Sequence, residues 1–358
     1  MSLYAVIIAG GVGSRFWPRS RQNEPKQFLN VLSSESLIQN TFARLQPLID
    51  SEHVRVVTHE RYADLTRDHL PALRPEHVYA EPMSRNTAPA VAFAAARLYA
   101  EDPDATMVVL PADHAIRNVR AFQDALRVAA EQAQEPGALV TIGIQPTHPA
   151  TGYGYIQFDS AGRVGDEPKS YPVRTFAEKP DLATAERFLD SGDFAWNSGM
   201  FIWRADTILE AMEAYLPEVR AAFRELETAG ADDAAVQKAF QRSPKISLDY
   251  GVMEPAAAQG QVYVVPGTFG WNDVGDWHAV YELAEHDQAG NAVEGNVLLH
   301  NTGRSYVRSE GRLIVLVGVR DLAVIDTADA VLVCKMDQTQ QVKNIVDYLG
   351  SHGMDDFI

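Results

Sequence analysis

Tyr4–Ala9 reads YAVIIA, an unbroken apolar run, and it leads directly into Gly10, Gly11 and Gly13. A short run that is apolar on both faces must be buried on both faces, as a strand inside a parallel sheet is. Leu37–Ile49 then has apolar positions at helical spacing, Val54–Thr58 reads as a strand and Thr87–Tyr99 as an alanine-rich helix. Thr106–Leu110 is again a strand, Ala121–Gln134 a helix and Leu139–Ile144 a strand. This alternation predicts an α/β fold: an open parallel sheet, helices on both faces, right-handed crossovers.

From about Tyr153 the segments shorten. YGYIQF, VRTFAEK and NSGMFIWR read as strands, and helices are predicted over Leu182–Leu189, Ala205–Tyr215 and between Glu218 and Phe240. Asp287–Glu294 is polar, contains Gly and Asn, and reads as a linker. Short β-rich runs follow, then an amphipathic segment, Thr339–Leu349. The predicted division is 1–286 for the α/β domain and 291–358 for a small β-rich domain ending in a helix.

The 358 residues are enough for both domains and a sizeable core. A formal net charge of −17 argues against nucleic acid or an anionic membrane surface as a partner. One cysteine, Cys334, excludes an intramolecular disulfide and a cysteine-based zinc site, and fits a reducing cytoplasm. The start, MSLYAVIIAGG, lacks the basic n-region of a signal peptide, and no apolar stretch is long enough to span a bilayer. A cytoplasmic protein is expected.

Against this acidic background, Ala9–Phe28 carries Arg15, Arg19, Arg21 and Lys26 with only Glu24 opposing them. Glycines after a strand let backbone N–H groups approach a phosphate, at the end of the sheet where ligands bind. The glycines alone fit a tight turn equally well. A dinucleotide fingerprint from Gly11 would need glycine where Phe16 stands, and the Gly-Lys-Ser/Thr close of a Walker A loop is absent. The cations shift the balance towards a di- or triphosphate: Arg15 can fork onto phosphate oxygens and Lys26 can act as a mobile charge. For Arg19 and Arg21, a solvated loop without a ligand role is the stronger reading.

GGVGSRFWPRSRQNEPKQF closely resembles the long signature of mannose-1-phosphate guanylyltransferases, within the sugar-1-phosphate nucleotidyltransferases. Further matches recur to about Trp277, and the β-rich tail is also similar. The resemblance implies a Rossmann-like, mostly parallel open sheet of the GT-A-like kind. It also implies a small β-rich C-terminal domain, with a left-handed β-helix-like coil as one form open to it. It implies GMP transfer from GTP to α-D-mannose 1-phosphate, giving GDP-mannose and pyrophosphate, with Mg²⁺ as cofactor. Arg15 and Lys26 would be catalytic, and Gly10, Gly11 and Gly13 would bind nucleotide.

Other segments carry both a plain and a functional reading. In VVLPADHAI, Asp113 follows a buried strand, where an aspartate is often only a helix cap. In FGWNDVGDWHAV, Asp273 fits an Asx turn. The resemblance makes Asp113 and Asp273 a metal pair and gives Asp276 no such role. Arg85, Asn86 and Thr87 open the alanine-rich helix, with Thr87 as the expected N-cap; the resemblance places Asn86 and Thr87 against the nucleotide. Gly152 and Gly154 bracket Tyr153 and mark a bulge or a close backbone approach. Glu178 and Lys179 are neighbours, so one ligand can meet both only if the strand ends or bends there, which Pro180 favours. By resemblance, Gly154, Glu178, Lys179 and Asn197 bind the sugar phosphate. Trp196, Phe201 and Trp203 read as core. The ten histidines show no metal-ligand spacing, and His114 reads as a helix-start residue.

Two alternatives stay open: the same chemistry with another sugar phosphate or nucleoside triphosphate, and a non-catalytic sugar-nucleotide sensor. The β-rich tail could pack domain on domain or pair two subunits into a homodimer. The region after 290 is too short for the phosphomannose isomerase domain that some family members append, so no isomerase activity is expected.

Overall fold

The computed structural model describes residues 2–159, 169–228 and 232–358. The chain falls into two compact units, one of residues 1–10, 42–112 and 116–271, the other of 11–41, 113–115 and 272–358.

The first unit is built on a nine-stranded sheet. Its strands are β1 (Leu3–Ala9), β2 (Val54–His59), β3 (Val78–Glu81), β4 (Thr106–Pro111), β5 (Leu139–Ile144), β6 (Tyr155–Phe158), β7 (Tyr171–Ala177), β8 (Phe194–Arg204) and β9 (Val262–Gly267). They lie in the order β3-β2-β1-β4-β8-β5-β9-β7-β6, with β6 also pairing with β8. β1 sits between β2 and β4, parallel to both, with Ile7 beside Val56 and Leu110. Ala5, Val6 and Ile7 are fully buried, as the unbroken apolar run requires.

The sheet is mixed. β8 enters antiparallel between β4 and β5, and β6 and β7 are antiparallel to each other. A strand covered on both faces is apolar whichever way it runs, so its direction does not show in its hydropathy. The helix Thr87–Glu101 packs its alanines into the same core, where Phe93 lies 5.5 Å from Phe240 in an edge-to-face pair.

Two predicted boundaries move. The helix expected over Leu37–Ile49 stops at Ala43, short of Pro47, which cannot continue the ladder and restricts the residue before it. The predicted linker is structured. Asp287 accepts hydrogen bonds from the N–H groups of Ala289 and Asn291, both at 2.8 Å. Ala292–Glu294 is already a strand.

In the second unit the strands are β10 (Ala292–Glu294), β11 (Val297–His300), β12 (Tyr306–Arg308), β13 (Ile314–Val317), β14 (Leu322–Asp326) and β15 (Val331–Lys335). β10, β12 and β14 stack in parallel, with Ala292 beside Tyr306 and Tyr306 beside Ala323. β11 and β13 form a second parallel pair, and β15 closes on β14 antiparallel. Successive parallel rungs of this kind make a β-helix-like coil. Its core includes Phe16, Trp17, Trp277, Tyr306, Ile325 and Val342, so the opening loop shares one apolar cluster with the coil. The closing segment is a 3-10 turn, Met336–Gln341, followed by the helix Val342–Ser351.

Candidate active site

Gly13 has φ +72, a conformation that L side chains rarely adopt, and a Cβ there would run into the Cβ of Lys26. Only glycine lets the two strands of the loop touch. The Lys26 N–H donates to the Val12 carbonyl at 3.0 Å, and the Ser20 hydroxyl to the Gly13 carbonyl at 2.7 Å. Gly10 and Gly11 have open space where a side chain would stand, which leaves their backbone approachable.

Lys26 is buried to 7 % exposure. Its Nζ donates to Asp113 Oδ2 at 2.7 Å and to the Asp273 carbonyl at 3.0 Å. One ammonium thus bridges the two predicted metal aspartates. Gly275 keeps space beside Asp273, since a Cβ there would be 3.2 Å from its Oδ2. Burial pushes the Asp113 carboxyl up, but the Lys26 and His114 charges and the hydrogen bond from Lys26 outweigh it and hold the group below its ordinary value. Val274, between Asp273 and Gly275, takes φ +49, a rare state for a β-branched residue. The Asn272 side chain pins it by accepting from its N–H at 2.7 Å.

Lys26, Asp113, Asp273 and Gly275 line one cavity of about 380 Å³ with Gly13, Arg15, His114 and Lys343. His114 therefore faces the site. Arg19 and Arg21 turn away: Arg19 pairs with Glu310 and Arg21 with Asp329, both in the β-rich tail. Asp276 caps the helix Trp277–Leu283 by accepting from the Ala279 N–H at 3.1 Å.

The first unit holds a second cavity, of about 520 Å³, lined by Asn86, Thr87, Glu178, Lys179, Lys245, Ser247, Asp249 and Tyr250 among others. The N-cap of the alanine-rich helix is Asn86, one residue before the expected Thr87. Asn86 adopts φ +71, which asparagine tolerates better than threonine, and its side chain accepts from the Thr87 N–H at 2.8 Å. The Thr87 hydroxyl instead accepts from the Leu248 N–H at 2.9 Å.

β7 ends at Ala177, and Lys179 takes φ +48. That turn brings Glu178 and Lys179 into one cavity, where they form an ion pair. Burial pushes the Lys179 ammonium down, and the hydrogen bond and charge of Glu178 reverse this, so it stays above its ordinary value. Gly154 lies against the Glu178 carboxylate: a Cβ there would fall on Oε2 and come within 3.3 Å of Asn197 Cβ. The Asn197 N–H donates to the Gly154 carbonyl at 2.8 Å, and its Nδ2 donates to Asp249 Oδ1 at 2.8 Å. Burial, and then the charge of Glu178, raise the Asp249 carboxyl to about 6.

The structure thus gathers Gly13, Arg15, Lys26, Asp113 and Asp273 in one cavity. It places Asn86, Thr87, Glu178 and Lys179 around the other, with Gly154 and Asn197 in contact with that wall. Trp196, Phe201 and Trp203 are buried, as expected. Sequence reasoning missed Lys343 and Asp249. Lys343 sits on an amphipathic segment with nothing to mark it, and Asp249 lies in SLDYGV, which has no recognisable spacing.

Residues 4–290 match the family described as Nucleotidyl transferase, and residues 295–349 match a MannoseP isomerase/GMP-like beta-helix domain. A mannose-1-phosphate guanylyltransferase of Escherichia coli K12 is 40% identical over 98% of this chain and 74% of its own length. The xanthan biosynthesis protein XanB of Xanthomonas campestris is 41% identical over 97% of this chain and 73% of its own. A solved structure from Thermus thermophilus, described as a mannose-1-phosphate geranyltransferase, superposes with a TM-score of 0.88 at 34% identity, over 98% of this chain and all of that one. The match over residues 4–290 and the relatives at 40% and 41% identity over nearly the whole chain carry the conclusion: the chain belongs to the nucleotidyl transferase family, in the group of the mannose-1-phosphate guanylyltransferases.

Proposed function

We propose that the protein transfers GMP from GTP to α-D-mannose 1-phosphate, giving GDP-mannose and pyrophosphate. The observation that carries this reading is the cavity in which Arg15 and Lys26 converge with Asp113 and Asp273 beside a glycine-stabilised loop. A pure binder has no use for cations set against the leaving end of a triphosphate.

The sugar phosphate is already an anion near neutral pH, so its oxygen can attack the α-phosphorus in line without a general base. The new P–O bond forms as the bond to the pyrophosphate oxygen breaks, and pyrophosphate carries the electron pair away. What the chain must supply is positioning and charge neutralisation. Arg15, Lys26 and the loop N–H groups meet the leaving phosphates. Glu178 and Asn197 accept or donate to sugar hydroxyls, Lys179 guides the attacking phosphate, and Asn86 and Thr87 meet the nucleoside. Residues 1–286 then form the catalytic part of the chain and 291–358 the small β-rich domain.

No group of three or more metal-ligating side chains occurs among the described residues. Two carboxylates lining one cavity of about 380 Å³ suit Mg²⁺, which keeps waters and takes substrate phosphate oxygens as its remaining ligands. Asp113 and Asp273 would hold it, and when bound it would supply neutralisation of phosphate charge.

The test is to incubate the purified protein with Mg²⁺, mannose 1-phosphate and each common nucleoside triphosphate in turn, following pyrophosphate release. Release with GTP alone, with GDP-mannose formed, is the expected result. Release with another triphosphate would overturn the base assignment. Release with glucose 1-phosphate but not mannose 1-phosphate would overturn the sugar. Binding without release under every combination would favour the sensor.

A further inference from the structure

We infer that Lys343, on the C-terminal helix, is a phosphate-binding residue for the leaving pyrophosphate. The inference rests on the proposed guanylyl transfer. Lys343 lines the same cavity as Arg15, Lys26, Asp113 and Asp273. It belongs to the first turn of the helix Val342–Ser351, and the preceding residue, Val342, is buried to 3 % exposure in the cluster that holds Phe16 and Trp277. The helix also packs on the 3-10 turn Ser14–Phe16 that carries Arg15. The backbone that bears Lys343 is therefore fixed, while its side chain is exposed and meets no ion-pair partner among the described residues.

No ion pair within the described residues accounts for a lysine in that position. The first turn of a helix favours acids, because the N-terminal end of the dipole is positive. Here the first turn holds no acid at all. A cation placed there and left unpaired is mildly unfavourable unless an anion arrives.

The charges in the cavity point to that anion. Lys26 is bound to Asp113, and Asp273 adds a second negative charge. Arg15, Lys343 and His114 are the other basic residues lining the space. A leaving pyrophosphate gains negative charge as it departs, and a mobile ammonium on a fixed backbone is suited to meet it. The tail would then take a direct part in substrate binding as well as supporting the loop.

The test compares the full-length protein with Lys343→Met and Lys343→Arg in both directions of the reaction. Pyrophosphate binding is also titrated directly by calorimetry with Mg²⁺ present. Lys343→Met is expected to raise the KM for pyrophosphate in the reverse reaction about tenfold, in line with one lost charge-assisted hydrogen bond. The KM for GTP should rise in parallel, the affinity for GDP-mannose should hold because it lacks the leaving group, and Lys343→Arg should recover most of the loss. Pyrophosphate KM and binding within twofold of wild type would overturn the inference. Equal losses for pyrophosphate and GDP-mannose with a lowered Tm would also overturn it, assigning Lys343 a structural role. Wild-type protein that binds pyrophosphate in a Lys343-dependent way but transfers no guanylyl group would sink the proposed reaction and leave the phosphate site standing.

Discussion

At the scale of single residues, the cavity lined by Asn86, Glu178 and Lys179 contains an unusual acid. Asp249 is pushed up to about 6 by burial and by the nearby Glu178 charge, well above the ordinary aspartate range. A raised carboxyl pKa means the folded state prefers the protonated form. Its penalty is absent below the unfolded pKa, grows as pH rises through the interval up to about 6, and is complete above it. Asp249→Asn keeps an oxygen to accept from Asn197 and removes the charge. The Tm difference between variant and wild type should therefore move in the variant's favour between pH 4.5 and 6.5, then level off. A difference that stays constant across that range would show that Asp249 titrates normally. Nothing in SLDYGV announces this acid; its pKa comes from burial and from Glu178, more than seventy residues earlier in the chain. By contrast, Lys26 and Asp113 stand in segments singled out by the family resemblance, and the structure brings them together in one cavity.

At the scale of elements, backbone conformation explains why some readings held and others shifted. Asn86, Lys179 and Val274 all have positive φ, and each stands where a strand or loop turns a side chain into a cavity. The neighbours Glu178 and Lys179 could share a ligand only if the strand ended, and the left-handed turn at Lys179 achieves this. The direction of β8 was not legible, because a fully covered strand has no polar face to betray it. Gly154 gives this scale its prediction. An alanine there would put a methyl group on Glu178 Oε2 and crowd Asn197. Gly154→Ala should displace the carboxylate and raise the KM for the sugar phosphate roughly tenfold to a hundredfold, the worth of one charge-assisted hydrogen bond. The KM for GTP should change little. Equal effects on both substrates would show that the substitution disturbs the fold at large.

At the scale of the whole molecule, the unit that holds Lys26 and Asp273 is assembled from segments far apart in the chain, and two kinds of contact tie its loop to its coil. The ionic kind is Arg19 with Glu310 and Arg21 with Asp329. The apolar kind is Phe16 against Trp277, and Trp277 stacked on Tyr306 with ring centres 5.8 Å apart. Magnitudes decide between them. Ion pairs with a partly exposed carboxylate are each worth roughly 0–1 kcal/mol and weaken with salt. Truncating a fully buried aromatic ring costs about 3–5 kcal/mol through lost burial and the cavity left behind. Tyr306 is fully buried, and its hydroxyl donates to Glu294 at 2.8 Å. The apolar stack, more than the charge pairs, should therefore hold the glycine-rich basic loop in place. The double variant Glu310→Gln, Asp329→Asn should keep turnover within about threefold of wild type and shift Tm little. Tyr306→Ala should lower Tm by several degrees and cut turnover well before global unfolding, because the Phe16–Trp277 pair that backs Arg15 and Lys26 loses its support. If the charge-pair variant were the more damaging of the two, the loop would be held electrostatically, and its activity should then fall steeply with added salt.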